Sequence, residues 1–246
     1  MMISTGSVYT DAFRALRQAI QKHREHAAMI KAMIFDFGLV ISTPRPTACF
    51  RAYERDLGIV KGNINRIMFD GPAWQDALVG RLTMRGFWRA IGPSLGLTRQ
   101  WQIDAFQRRY YSDESVNPDV LRLIRRLHGT CHLAVLSNHP MGLDQWLSEW
   151  GIRDLFDVVY CSGDEGRVKP DPAVYHATLD RLGVRPAHAA FIDDTVGHVT
   201  AARSLGIHGL LFKDAQRLDR ELEYLLKQDS PVDRFPHAEK PPDDHG

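Results

Sequence analysis

The sequence predicts an α/β fold built on a doubly wound parallel sheet, with an inserted helical subdomain. Short apolar segments rich in β-branched residues alternate with longer helical patterns. The apolar segments are continuous rather than alternating, as expected for strands that helices cover on both faces. With 246 residues, 44% of them hydrophobic, the chain is long enough for one large domain or a domain with an insert.

Strands and helices are predicted in strict alternation after the insert. The predicted strands span residues 32–36, 132–137, 158–161, 189–193 and 208–212. The predicted helices span residues 117–128, 140–150, 171–182, 195–205 and 214–226. The helices at 117 and 171 begin with Asn-Pro and Asp-Pro, in which a capping side chain precedes a proline at the first helical position. Gly151, Gly183 and Gly206 end three of the helices.

The interval between the first two strands has a different character. Residues 46–112 show helical patterns interrupted by Gly and Gly-Pro, and no strand pattern. We expect a helical cap at the ligand-binding edge of the sheet, where it can act as a lid. The predicted organisation is an amphipathic helical extension (1–31), an α/β core (32–45 and 113–228), the cap (46–112) and a disordered, Pro- and charge-rich tail (229–246).

Composition restricts the partners and the compartment. The net charge of +1 gives no bulk electrostatic reason for a nucleic-acid or membrane partner. No apolar run approaches the roughly 20 residues of a membrane span. Cys49, Cys131 and Cys161 lie far apart in sequence and show no zinc-site spacing, and their odd number favours a reducing cytoplasm. Buried structural thiols are expected for Cys131 and Cys161. We expect a cytoplasmic monomer or homodimer.

Four short segments carry polar residues that suit phosphoryl transfer. Three of the segments directly follow predicted strands, where parallel sheets place their ligand-binding groups. The residues are Asp36, the pair Ser137-Asn138, Lys169, and the pair Asp193-Asp194. A carboxylate such as Asp36 either attacks phosphorus or binds Mg²⁺.

The other segments supply the complementary groups. Ser137 and Asn138 are candidates to donate hydrogen bonds to phosphoryl oxygens, or to cap the following helix. Lys169 is a candidate to neutralise the phosphoryl group, or a solvated lysine. Two adjacent carboxylates, Asp193 and Asp194, repel each other unless a cation is near, and oxygen ligands select Mg²⁺. For Asp194 an exposed position, or a capping role at Thr195, remains open.

These motifs resemble the haloacid dehalogenase superfamily of α/β hydrolases over residues 32–228. They read Ile-Phe-Asp-Phe-Gly at 34–38, Val-Leu-Ser-Asn at 135–138, Val-Lys-Pro-Asp at 168–171 and Phe-Ile-Asp-Asp at 191–194. The stretches at 169–183 and 201–208 are similar to the branch that contains the epoxide-hydrolase N-terminal phosphatase domain and bacterial glucose-1-phosphate phosphatases.

The resemblance implies a role for each site residue. It makes Asp36 the nucleophile, with Ser137 and Lys169 binding the phosphoryl group. It implies that Mg²⁺ is held by Asp36, Asp193 and the backbone carbonyl of Gly38, while Asp194 acts through metal-bound water or by orienting the loop. The implied substrate is a small phosphorylated metabolite such as a sugar phosphate.

The sequence departs from the family pattern at two positions. Gly38 stands where most phosphatases of the superfamily have an Asp that serves as general acid and base, a function worth about 10²–10⁴ in rate. Several members of the resembling branch share this glycine. His198 replaces an Asn common in the branch, and we expect it on a helix surface. Candidates for substrate specificity in the insert are Arg51, Arg55, Arg81, Trp74 and Trp88.

The predicted function is therefore a Mg²⁺-dependent phosphatase that works through an aspartyl-phosphate, and two alternatives remain. A metal-independent 2-haloacid dehalogenase needs no second acid because a halide leaves without a proton, but the pair Asp193-Asp194 favours Mg²⁺ and hence phosphate. A non-catalytic regulatory protein that binds a phosphorylated ligand is the other alternative. It would not need to keep the nucleophile Asp36.

Overall fold

The computed structural model describes residues 30–227, and within them one sheet of five parallel strands. The strands are β1 (Ala32–Phe35), β2 (His132–Ser137), β3 (Val158–Cys161), β4 (Ala189–Asp193) and β5 (His208–Leu211). Their spatial order is β3-β2-β1-β4-β5, which confirms the predicted doubly wound parallel sheet. Because the chain reverses its direction of progress across the sheet between β3 and β4, the crevice beside β1 is the expected ligand site.

The helices follow the predicted alternation. Those in the first half of the described chain are α1 (Thr47–Leu57), α2 (Ile64–Phe69), α3 (Pro72–Leu78), α4 (Met84–Ile91), α5 (Gln100–Ser112) and α6 (Pro118–Leu127). Those in the second half are α7 (Leu143–Glu149), α8 (Ser162–Glu165), α9 (Pro172–Leu182), α10 (Val196–Ser204) and α11 (Ala215–Lys227). The predicted caps are present: Asn117 accepts a hydrogen bond from the N–H of Val120, and Asp171 from that of Ala173.

The core has two apolar layers, one on each face of the sheet. Residues of β1 alternate between them, with Met33 and Phe35 on the face covered by α6, α7 and α11. Ala32 and Ile34 lie on the opposite face, under α9 and α10. This burial on both faces explains the continuous apolar runs of the strand sequences.

Residues 47–112 form a helical segment with an apolar cluster of its own. It holds α1 to α5 and contains no strand, and all of it is described by the structure. Trp88 is fully buried at the centre, with its ring 5.8 Å from Phe106 and 5.5 Å from Tyr110 between centroids. The role of this segment as a cap over the site stays a prediction.

Helix α7 begins later than predicted. The sequence predicts a helix over 140–150, but α7 starts at Leu143, after Gly142 in the left-handed conformation with φ of 98°. The preceding residues form a loop instead, because the backbone N–H of His139 donates a hydrogen bond to the hydroxyl oxygen of Ser162. The distance between the His139 nitrogen and the Ser162 Oγ atom is 3.0 Å. The sequence pattern could not show this because Ser162 is distant along the chain.

Two predictions fall on residues outside the described range. The amphipathic helix over 8–31, apart from its last two residues, and the tail over 229–246 are not described. Among the helices of residues 30–227, none has the length and apolarity that crossing a bilayer requires.

The helical segment touches the α/β core through two glycines. A Cβ atom added at Gly80 would lie 2.1 Å from the carbonyl oxygen of Gly163, so only a residue without a side chain fits there. Gly163 is equally crowded, since its own Cβ would lie 2.3 Å from the backbone nitrogen of Met141. The end of α3 therefore meets α8 backbone against backbone.

We predict that Gly80→Ala destabilises the protein more than Gly58→Ala does. Both glycines have a left-handed φ, of 72° and 67°, so both substitutions cost about 1–2 kcal/mol of backbone strain. Only Gly80→Ala also overpacks the contact with Gly163, which adds about 1–3 kcal/mol. Urea unfolding midpoints measure the difference, and equal losses for the two variants would contradict the close contact.

Candidate active site

Asp36 lies at the carboxyl end of β1, at the start of a tight turn. Its Oδ1 atom accepts a hydrogen bond of 2.7 Å from the N–H of Phe37. The chain then turns through Phe37–Ile41, with Leu39 in the left-handed conformation at φ of 59°. An exposed non-glycine residue in that conformation is strained, and such strain clusters at functional turns. The turn brings Gly38 into the lining of a cleft beside Asp36.

Lys169 joins the two carboxylates predicted to flank it. Its Nζ atom lies 2.9 Å from Oδ1 of Asp36 and 2.6 Å from Oδ2 of Asp193. All three side chains are buried, and the ammonium also lies 5.4 Å from the ring centroid of Phe191. The structure thus brings together residues from the ends of β1 and β4 and from the loop before α9, and the reading of Lys169 as a solvated lysine is wrong.

The three acids of the site differ in their pKa. Burial, together with the nearby charge of Asp193, raises the pKa of Asp36 in spite of Lys169. Burial acts in the same direction on Asp193, but hydrogen bonds from His198, Lys169 and the N–H of Thr195 outweigh it and hold its pKa below the usual range. Burial and the charges of Asp36 and Asp193 raise the pKa of Asp194. Proximity of like charges therefore contributes to the shifts of Asp36 and Asp194.

The acids of the site match the chemistry of a hard divalent cation. One oxygen from each of Asp36, Asp193 and Asp194 lies within 4.8 Å of the others. Three carboxylates face one ammonium, and carboxylate oxygens are the ligands that Mg²⁺ prefers. The donor set fits the predicted metal, and the contribution of the Gly38 carbonyl stays a prediction.

Ser137 and Asn138 hold different positions in the site. Ser137 is the buried last residue of β2 and lines the cleft. Asn138 uses both ends of its amide group on the main chain of Lys169: its Nδ2 donates to the carbonyl at 2.9 Å, and its Oδ1 accepts from the N–H at 2.7 Å. The side-chain amide of Asn138 therefore positions Lys169, and Asn138 also lines the cleft, so its predicted role in substrate binding stays a prediction.

The loop after β2 is fixed from the neighbouring strand. The Sγ atom of Cys161 lies 3.1 Å from the carbonyl oxygen of His139, which also accepts a hydrogen bond of 2.9 Å from the N–H of Gly163. Burial raises the pKa of the Cys161 thiol to about 12, so it remains a neutral structural group as predicted. His139 lines the cleft, with its ring 5.5 Å from that of Phe37, and burial lowers its pKa.

The expectation that His198 lies on a helix surface is wrong. Its Nδ1 atom lies 3.1 Å from Oδ2 and 3.2 Å from Oδ1 of Asp193. The side chain is only 18% exposed, because residue 198 falls in the first turn of α10, next to the end of β4. An ionised carboxylate only accepts hydrogen bonds, so Nδ1 carries the proton. His198 therefore supports Asp193 through a hydrogen bond from its Nδ1 atom.

A cleft of about 190 Å³ separates the site from the helical segment. Its core side includes Gly38, Ser137, Asn138 and His139. Its far side is largely apolar and includes Met68, Phe69, Trp74, Met84, Phe87 and Trp88, together with Tyr110 and Tyr111 of α5. Residues of the helical segment and residues beside Asp36 therefore line the same cleft.

The specificity candidates divide into two groups. Trp74 and Trp88 line the cleft. The three arginines are exposed and do not line it; Arg55 pairs with Asp56, and Arg81 with Asp76.

Sequence reasoning missed several lining residues. They are Arg45, Tyr110, Tyr111, Glu114 and His139. Arg45 and Glu114 form an ion pair of 2.6 Å across 69 positions of sequence, a separation at which no local pattern gives a signal.

Comparison with known proteins identifies the family of the chain. The sequence model of the haloacid dehalogenase-like hydrolase family matches residues 3–206, so the chain belongs to that family. It is similar to a sesquiterpene phosphatase of Aspergillus oryzae, with 27% identity over 203 residues that cover 80% of this chain and 96% of that protein. It is also 25% identical over 223 residues to bifunctional epoxide hydrolase 2 of Sus scrofa, covering 79% of this chain but 38% of the relative.

A solved structure shares the fold. It is a haloacid dehalogenase family enzyme from Bacteroides thetaiotaomicron, in complex with magnesium and inorganic phosphate. The TM-score is 0.64 at 24% identity, over 77% of this chain and 98% of that one. The family prediction made from the four motifs is confirmed.

We predict that Lys169→Met strongly destabilises the protein at pH 7 when metal is removed by a chelator. Asp36 and Asp193 then remain as buried charges without their cation, a change that costs about 3–5 kcal/mol. The loss should shrink as the pH falls, because protonation neutralises the carboxylates, first those whose pKa is raised. Urea unfolding at pH 7 and pH 5 measures both effects. Lys61→Met, on an exposed lysine, is the control, and an equal loss in both variants would contradict the buried pairing.

Proposed function

We propose that this hydrolase is a Mg²⁺-dependent phosphatase of small phosphomonoesters that works through an aspartyl-phosphate on Asp36. The observation that carries the proposal is the buried ammonium of Lys169, held between Asp36 and Asp193 at 2.9 and 2.6 Å beside the cleft. A carboxylate in contact with a fixed cation, beside further acids that suit a divalent metal, is the arrangement that transfer of an anionic phosphoryl group requires.

Asp36 is the nucleophile in this proposal. Its Oδ1 accepts from Phe37 and faces Lys169, whereas no residue of 30–227 forms a hydrogen bond to Oδ2, which leaves that oxygen for attack. The oxygen forms a bond to phosphorus as the bond to the leaving alcohol oxygen breaks, and the alcohol takes up a proton. Water then attacks the phosphorus, which releases inorganic phosphate and restores the carboxylate.

The neighbouring residues serve binding and charge stabilisation. Lys169 neutralises negative charge on the phosphoryl oxygens, and the Ser137 hydroxyl donates a hydrogen bond to one of them. Asn138 keeps Lys169 in place through its main chain. Mg²⁺ bound by Asp36, Asp193, Asp194 and the Gly38 carbonyl would supply further positive charge for the transferring group. The Bacteroides enzyme in complex with magnesium and phosphate, and the fungal phosphatase, support this assignment.

The alternatives predict different behaviour. A dehalogenase that works without metal has no use for three acids whose oxygens lie within 4.8 Å. A non-catalytic binding protein would not need a nucleophile at Asp36. The absence of a side chain at Gly38 is compatible with all three functions. Turnover separates the two enzymes from the binding protein, and the dependence of turnover on Mg²⁺ separates the phosphatase from the dehalogenase.

We predict Mg²⁺-dependent hydrolysis of para-nitrophenyl phosphate, abolished by Asp36→Asn. The amide of Asn is a poor nucleophile, while its shape preserves the fold. Release of nitrophenolate with Mg²⁺ and with a chelator measures the activity. Asp180→Asn, an exposed acid on α9, is the matched control and should keep full activity. Full activity of Asp36→Asn would contradict the mechanism, and metal-free halide release from 2-chloropropionate would identify a dehalogenase.

We further predict that Gly38→Asp folds normally and gains activity on alkyl phosphates. Gly38 has φ of −63° and ψ of 129°, which any residue adopts, and an added Cβ meets no atom within 4 Å. An acid there can protonate a basic leaving alkoxide, a gain of up to about 10² in kcat. Nitrophenolate needs no proton, so the ratio of kcat for butyl phosphate to that for para-nitrophenyl phosphate should rise.

The control for this substitution is Gly71→Asp. It adds the same charge at a second glycine whose Cβ would meet no atom within 4 Å, outside the cleft lining. An unchanged kcat ratio in Gly38→Asp, with normal stability, would show that leaving-group protonation is already supplied by another group.

A further inference from the structure

The chemistry of the cleft changes from one side to the other. The side formed by the α/β core carries the polar groups proposed to hold the phosphoryl group. The side formed by the helical segment carries thioethers and aromatic rings from α2, α3 and α4, and we call these six residues the apolar wall: Met68, Phe69, Trp74, Met84, Phe87 and Trp88. A phosphomonoester bound with its phosphoryl group at Asp36 would extend its organic part toward this wall.

The wall has a rigid layer and an accessible layer. Met68, Phe87 and Trp88 are at most 1% exposed and form the backing. Phe69, Trp74 and Met84 are only partly buried, so they keep surface open to the cleft. Trp74 is held edge to face between Phe69 and Phe87, with ring centroids 5.0 and 5.5 Å away. Fixed aromatic surface and an adaptable thioether together suit an apolar group of variable shape.

Two polar groups that line the cleft near the wall, the Trp88 indole N–H and the Arg45 guanidinium, already have partners. The Nε1 atom of Trp88 donates to the hydroxyl of Tyr111 at 2.9 Å. Arg45 pairs with Glu114 at 2.6 Å, donates from Nε to the carbonyl oxygen of Tyr110 at 3.1 Å and stacks on the Tyr110 ring at 3.7 Å. Sugar hydroxyls placed against this wall would lose their water without gaining equivalent hydrogen bonds.

The charged residues of the cleft lining also favour an apolar organic part of the substrate. Arg45 is the one Lys or Arg among the lining residues that the structure describes, and Glu114 neutralises it. A second phosphate or a carboxylate on the organic part would therefore meet no free cation on the wall side.

We infer that the substrate is the phosphomonoester of an apolar alcohol, with an alkyl, isoprenoid or aryl organic part, and not a sugar phosphate. This inference rests on the proposed phosphatase function, and it replaces the sugar phosphate implied by the family resemblance. The wall binds the organic part by burying its apolar surface, while the phosphoryl group is bound at Asp36 and Lys169.

The test is a series of unbranched alkyl monophosphates from ethyl to octyl, compared with glucose 6-phosphate and glycerol 1-phosphate. We expect kcat/KM to rise about three- to fourfold for each methylene that the cleft buries, and then to level off. The sugar phosphate should be poorer than butyl phosphate by about tenfold or more. A flat series, or a preference for glucose 6-phosphate, would overturn the inference while leaving a phosphatase.

Variants of the wall make the test specific. Trp74→Ala should flatten the dependence on chain length, whereas Trp101→Ala, on a tryptophan that is 65% exposed on α5 outside the cleft lining, should leave it unchanged. Met84→Gln, which keeps the length of a partly buried side chain but adds polarity, should also flatten it and guards against misfolding of Trp74→Ala. Equal slopes in all three variants would contradict a role for the wall.

A binding measurement decides the inference even if no ester is hydrolysed. Hexyl phosphate, glucose 6-phosphate and inorganic phosphate are titrated calorimetrically into Asp36→Asn with Mg²⁺ present. Tighter binding of hexyl phosphate than of inorganic phosphate, with a negative heat-capacity change, shows burial of the apolar chain. Equal affinities for the three compounds would overturn the inference. Absence of turnover on every ester, including para-nitrophenyl phosphate, would count against the phosphatase alone.

Discussion

The ammonium of Lys169 between Asp36 and Asp193 is the interaction on which the rest of the site depends. Three buried charges are costly unless their geometry satisfies each of them. The geometry here is assembled from separate parts of the chain: Asp36 ends β1, Asp193 ends β4, and Lys169 lies in the loop before α9. Asn138, directly after β2, forms two hydrogen bonds with the main chain of Lys169 and so fixes its position. Correct register of β1, β2 and β4 is therefore a condition for the charges to meet.

The electrostatic balance of the site is incomplete with protein groups alone. Lys169 is one cation among three carboxylates, and the proximity of like charges contributes to the raised pKa of Asp36 and Asp194. His198 partly relieves Asp193 through its Nδ1 proton. A bound divalent cation would complete the balance, and the same excess of negative charge would be unfavourable for an anionic substrate without it. Metal and substrate binding are thus expected to be coupled.

Much of the fold was predictable because the relevant signals are local. Continuous apolar runs gave β2, β3 and β4 with correct ends, and the Asn-Pro and Asp-Pro caps gave the starts of α6 and α9. Parallel strands end at one edge, so the polar residues at 36, 137 and 193 were expected to meet. The contact of His198 with Asp193 was not predictable, because it depends on how the first turn of α10 faces β4. The late start of α7 likewise depends on distant partners, Ser162 and Cys161.

The contact between Gly80 and Gly163 has a consequence for how such an enzyme can change. Two backbones that touch without side chains leave nothing to repack, so the chain itself sets the separation between the helical segment and the reaction centre. Substitutions in the apolar wall would then alter the size and shape of the organic part that the proposed phosphatase accepts, while that separation stays constant. The reaction centre and the selectivity for the organic part can then change independently of each other.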